Sequence, residues 1–258
     1  MQPLRTIRVT RYVTPLREGG SLPAIVEADD DGLYVLKFRG AGQGARALIA
    51  EVVSGEIARA AGLPVPELVF AELDEDLART EPDPEIHALI RDSAGLNLAL
   101  DYLPGSVTFD PAVHKPDPDL ASRIVWLDAY LTNVDRTARN TNMLLWHRRL
   151  WLIDHGATLY FHHNPGWESA PSRAREPFAL LKNHVLLPFA TAIDAVDETI
   201  AAALTAETLS AIVGAVPEGW LQDRTSVAPD VVRGAYLRYL TQRLESPRIF
   251  VEEGVRAR

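Results

Sequence analysis

The chain has 258 residues, 47% of them hydrophobic, with five Trp, seven Tyr and seven Phe, which is enough for a substantial core and argues against disorder. Its net charge of -9 disfavours nucleic-acid backbones, and the lack of cysteine excludes disulfides, thiolate metal sites and a cysteine nucleophile. The N-terminus has no apolar signal-peptide region and no run of about 18 apolar residues occurs, so the expectation is a soluble cytoplasmic protein with no membrane and no nucleic-acid partner.

Residues 5–13 alternate as a strand does. A glycine turn, Gly19-Gly20-Ser21, leads to a second strand at 22–27, and the hairpin signal Asp29-Asp30-Asp31-Gly32 to a third at 33–38. The small-residue segment 40–45 reads as a connection. Residues 45–61 carry apolar positions at helical spacing, closed by Gly62 and two prolines. A strand is predicted at 65–73, a loop with a short helix at 74–92, and a strand at 96–103 that ends at Pro104-Gly105. Residues 119–133 predict a helix, followed by a polar loop and a hairpin of MLLW and LWLI. Beyond about 176 the pattern is mostly helical, with breaks near Pro188, Pro217 and Pro229. The fold class predicted is α+β with two lobes, like a protein kinase. Residues 1–104 would form an antiparallel sheet with one helix, and residues 105–258 a mainly helical lobe.

The polar loop after the 119–133 helix holds Asp135 and, five residues on, Asn140; the second strand of the hairpin ends in Asp154-His155-Gly156. Phosphoryl transfer calls for such a set. One carboxylate orients or accepts the hydroxyl proton, while an amide and a second carboxylate hold magnesium on the phosphates. Asp135 is the candidate base, and Asn140 and Asp154 are the candidate metal ligands. Each alone is as easily a cap or turn residue; their order and spacing carry the reading. Lys37 sits in an apolar strand, where an unpaired ammonium is costly. It suits a lysine touching ATP phosphates, with Glu51 on the next helix as partner and Glu56 as the rival. The backbone of Gly19-Gly20-Ser21 could approach the phosphates.

These phrases together resemble the HipA-like kinases: LYVLKFRGAGQGARALIAEVVSGEIARAAGLPVPE, LALDYLPGS, WLDAYLTNVDRTARNTNMLLW and LWLIDHGATLYFHH, spanning residues 33–163, about half of the chain. The Asp135-Arg136 pair is also similar to the catalytic loop of phosphoinositide kinases. The resemblance implies Mg2+ and ATP held between two lobes and phosphorylation of a hydroxyl, a serine or threonine of a protein. It assigns Lys37 to the phosphates, Asp135 to the base role, Asn140 and Asp154 to metal, and the backbone of Asp101, Tyr102 and Leu103 to the adenine hinge. It also implies a small antitoxin-like partner, although the extra N-terminal region of longer HipA proteins is missing. His155 stands where the pattern has an aromatic residue. Autophosphorylation of a serine in the glycine loop is known in the family the chain resembles, and Ser21 is the only serine near this turn.

His155, His162 and His163 cluster in sequence, but two adjacent histidines in a strand would face opposite ways, against a zinc site. His87, His114, His147 and His184 need no functional reading. Trp167 and the segment 169–177 fall where an activation or substrate loop would lie. Two other functions remain open from the residues alone: a small-molecule or lipid-headgroup kinase with the same ATP site, and a kinase-like binding module without turnover.

Overall fold

A computed structural model describes residues 3–16, 22–169, 171–223 and 225–258. Five strands come first: β1 Thr6–Pro15, β2 Ala24–Ala28, β3 Leu33–Lys37, β4 Leu68–Leu73 and β5 Gly95–Asp101. They close into a barrel in the order β1-β2-β3-β5-β4. The expected purely antiparallel sheet is therefore corrected in one place: β1 runs parallel to β4, pairing Thr6 with Phe70 and Arg8 with Glu72. The reason lies in β1 itself. Its antiparallel pairing with β2 is irregular between Val9 and Arg11 and again between Tyr12 and Thr14. Such irregularities bend and twist a strand, so its first half turns away to meet β4, and closure leaves no free edge.

Alternation puts Ile7, Val9, Ala24, Val26 and Leu36 inside the barrel. The helix α2 (Pro84–Asp92) adds Ile86 and Ile90 to the same apolar cluster. The helix α1 (Ala45–Ala60) is buried along most of its length, Glu51 and Glu56 included. Close packing on the barrel depends on Gly55, where an added Cβ would stand 2.5 Å from Leu68 Cδ1 of β4.

After β5 the chain enters a helical part. It contains α3 (Pro118–Tyr130), α4 (Ile193–Ala203), α5 (Ala206–Gly214), α6 (Glu218–Leu221), α7 (Pro229–Leu244) and α8 (Ile249–Ala257). Asp117 caps α3, accepting from the N–H groups of Asp119 and Leu120 at 3.0 and 3.1 Å. Trp126, Tyr130 and Phe250 form an aromatic knot between α3 and α8. A second sheet, β6 (Val107–Thr108), β7 (Met143–Trp146) and β8 (Arg149–Leu152), carries the predicted hairpin.

One local expectation changes. Short 3-10 turns lie at 160–163, 167–169, 171–175, 179–183 and 187–189, so His162 and His163 lie in a 3-10 turn and not in a strand. The breaks expected near Pro217 and Pro229 fall between α5 and α6 and between α6 and α7; Pro217 then caps α6 and Pro229 lies in the first turn of α7, where the missing N–H costs nothing. Among the described residues no helix is long and apolar enough to cross a membrane.

Candidate active site

Lys37 closes β3 and reaches across to α1 and to the turn after β8. Its Nζ lies 2.7 Å from Glu51 Oε2 and 2.6 Å from Asp154 Oδ1, with the side chain 15% exposed. Burial pushes the ammonium pKa down, but the two carboxylates outweigh it and leave the group firmly protonated. Glu51 is fully buried. Burial raises its pKa, while Lys37 and then His155 overcome that and bring it to about 2. Glu56, the rival partner, is turned to Arg59 at 3.5 Å.

Asp154, two residues beyond the end of β8, has a left-handed backbone, φ 55°. That conformation is uncommon for a non-glycine residue and easier for Asp than for most. It directs the chain abruptly out of the sheet, and the carboxylate stays about half exposed. His155 then turns inward and is fully buried against Glu51.

The catalytic-loop candidates meet as well. Asp135 Oδ2 accepts from Asn140 Nδ2 at 2.7 Å and from Asn142 Nδ2 at 3.3 Å. Asn140 and Asn142 line a cleft of about 400 Å3 together with Lys37, Asp154 and the segment Asp101-Tyr102-Leu103. Asp135 is not among the lining residues but is bonded to two of them, Asn140 and Asn142. The cleft walls include Val35, Leu100, Leu144 and Ile153. Gly19, Gly20 and Ser21 lie outside the described residues.

A residue that the sequence reading passed over organises the loop. Asp128 is buried in the last turn of α3. Its Oδ1 accepts from Asn133 Nδ2 at 2.9 Å, and Asn133 Oδ1 accepts the Asp135 N–H at 3.0 Å. Its Oδ2 accepts from Arg136 Nε at 2.5 Å. Arg136, also buried, donates onward to the Asn142 carbonyl. His184, expected to need no role, places Nε2 2.8 Å from Asp128 Oδ2. Its Nδ1 accepts the Leu186 N–H at 3.0 Å, so Nε2 carries the hydrogen. Burial raises the Asp128 pKa, but Arg136 and His184 overcome that and hold it well below the usual range. The signal in the sequence was a carboxylate inside the apolar run IVWLDAYL, which needs a buried partner.

His162 and His163 face each other, Nε2 to Nε2 at 3.0 Å, and His162 Nδ1 lies 2.9 Å from the Tyr236 hydroxyl. His155 is buried elsewhere, facing Glu51 of α1 at 3.7 Å. Among the described residues no three His, Asp or Glu side chains converge as a metal cluster.

The family model described as HipA-like kinase matches residues 9–246. Among solved structures, the chain is similar to the Helicobacter pylori proinflammatory kinase CtkA, with a TM-score of 0.54 and 12% identity over 99% of this chain and 98% of that one. A Golgi casein kinase aligns with a TM-score of 0.47 and 11% identity over 98% of this chain and 72% of that one. No curated protein matches the chain. The likeness to CtkA shows a mixed α/β, kinase-like fold.

Proposed function

We propose, for a chain that belongs to the HipA-like kinase family, that it transfers phosphate from ATP, with Mg2+, to a serine or threonine hydroxyl of a protein. Membership of that family makes the chain a kinase; the nucleotide, the metal, the acceptor and the residue roles are our reading. The observation that carries it is Lys37 clasped between Glu51 and Asp154 in a cleft whose other wall presents Asn140, itself bonded to Asp135.

In this reading the barrel part, residues 1–104, is the nucleotide-binding lobe and residues 105–258 are the catalytic lobe. Adenine enters between Val35 and Leu100 on one side and Leu144 and Ile153 on the other. The N–H groups of Asp101 and Tyr102 are already used, bonded to the carbonyls of Glu67 and Leu33 at 2.9 and 3.0 Å. Pairing with the adenine edge therefore falls to the Leu103 N–H. Lys37, held extended by Glu51, binds the phosphates.

The oxygens of Asp154 and Asn140 are hard ligands of the kind magnesium takes, and they border the same cleft, so these residues fit the ion and would hold it. When bound, it neutralises charge on the phosphates. Asp135 has one oxygen engaged by two amides. The other is left to orient the acceptor hydroxyl and take its proton.

The test is incubation with γ-labelled ATP and a cell lysate, followed by identification of what is labelled. Phosphoserine or phosphothreonine in protein, lost with Asp135→Asn, is the expected result. Label confined to small molecules would move the assignment to a small-molecule kinase. Absence of any Mg-dependent transfer would overturn the reading.

A further inference from the structure

Only one oxygen of Glu51 is matched. Oε2 meets Lys37 at 2.7 Å, while Oε1 is buried with no hydrogen-bond partner. Facing Oε1 at 3.7 Å is Nδ1 of His155, and neither ring nitrogen of this buried imidazole has a partner either. An orphaned acceptor beside an orphaned donor is costly for both. A closure of about 1 Å brings them to hydrogen-bond length.

The elements that carry them are already held in register. Three residues further along each, the Ser54 and Thr158 hydroxyls are 2.6 Å apart. Thr158 Oγ1 also donates to the His155 carbonyl at 2.7 Å. A Cβ added to Gly156 would lie 3.6 Å from Glu51 Oε2 and 3.7 Å from Ala47 Cβ, so the turn after Asp154 is packed directly on α1.

We infer that His155 is a positioning residue for phosphate transfer: its Nδ1–H donates to Glu51 Oε1 and holds that carboxylate in place for Lys37. The inference rests on the kinase reading above. Lys37 is divided between Glu51 and Asp154. If Asp154 turns to the metal as the nucleotide arrives, Lys37 loses one carboxylate at the moment it must point at the phosphates. A Glu51 anchored through its second oxygen keeps the lysine aimed through that exchange. A phenylalanine, which the kinase pattern has at this place, has no donor to offer Oε1, so the imidazole adds a polar tie between the turn after β8 and α1.

The test uses the full chain, with His155→Phe and His155→Asn, whose amide can place an N–H near the position of Nδ1. Affinity for a non-hydrolysable ATP analogue with Mg2+ is measured by calorimetry, kcat and KM by turnover, and the imidazole tautomer by nitrogen NMR of the unsubstituted protein. His155→Phe is expected to weaken binding and raise KM by about tenfold, the worth of one hydrogen bond, with the smaller change in kcat. His155→Asn should recover most of that loss. In a Glu51→Gln background His155→Phe should add little. The tautomer should be Nδ1–H. Equal binding by His155→Phe, or an Nε2–H tautomer, overturns the inference. If the unsubstituted protein binds no Mg-nucleotide, the kinase reading fails instead, and the tautomer still decides the contact between His155 and Glu51. Should His155→Phe not fold, the tautomer and the Asn variant decide.

Discussion

Lys37 and Asp154 form a 2.6 Å ion pair across 117 residues of chain. One ends a barrel strand and the other leaves the hairpin of the second sheet, so the contact joins the two parts of the molecule. Glu51 makes it three-way from a fully buried position. The lysine is thus extended and oriented before any ligand arrives.

Lys37→Met removes the cation from a buried carboxylate. Breaking such a pair from one side costs about 3–5 kcal/mol when both groups are buried, and the partial exposure of Lys37 places this case near the lower end, about 3 kcal/mol. Calorimetry should show that loss, and adding Glu51→Gln should restore stability without restoring phosphate transfer. A double variant that regains activity would remove Lys37 from the site.

Asp135→Asn preserves the shape and loses the proton acceptor. Turnover should fall by about 10²–10⁴-fold, while the calorimetric affinity for Mg-nucleotide stays within about threefold, since the acid is assigned to the acceptor and not to ATP. Unchanged turnover would remove the base assignment.

Asp154→Ala should abolish the dependence of nucleotide affinity on Mg2+. Titrations with and without the ion would then coincide. A persistent enhancement by magnesium would place the metal on other groups.

Asp128→Ala strands Arg136, which is fully buried, and frees Asn133 from α3. A loss of about 3–5 kcal/mol is expected from the uncompensated charge, read as a lower unfolding midpoint in denaturant. Asp128→Asn keeps the shape and loses the charge. It should lower kcat more than it raises KM, because Asn133 sets the Asp135 backbone while the adenine cleft is untouched. The reverse split would refute a role in placing Asp135.

Acid should destabilise the protein in a defined window. The Glu51 pKa is lowered on folding from 4.5 to about 2. Its contribution is therefore fully present above the unfolded value and is lost as pH falls through the folded one. Asp128 adds a contribution of the same sign, its folded pKa lying well below the ordinary value. The melting temperature should decline from about pH 4.5 towards pH 2, and Glu51→Gln should decline less steeply. Parallel curves would show that Glu51 is not the group responsible.

The chemistry-bearing positions were legible because each stands against its surroundings. Lys37 interrupts an apolar strand, Asp135 and Asn140 share one polar loop, and Asp154 ends a short strand before a glycine. Asp128 was equally visible inside its apolar helix, but a buried charge read from sequence does not say which partner satisfies it. The role of His184 was hidden for a related reason: it lies 56 residues from Asp128, beyond any local pattern. The strand positions of β2, β3 and β5 followed from alternation and turn residues, whereas the helical pattern read beyond about 176 begins in the structure with 3-10 turns at Ala179–Asn183 and Leu187–Phe189.

By itself the sequence determined where strands and helices run and which polar residues had to be accounted for, because periodicity, turn chemistry and the cost of burying charge act over a few neighbouring residues. Only the tertiary structure decided that β1 closes a barrel by lying parallel to β4, that Glu51 and not Glu56 meets Lys37, and that Asp128 gathers Asn133, Arg136 and His184. Those outcomes depend on which surfaces pack together and on matching each buried charge within about 3 Å, and such matches join residues that chain order keeps far apart.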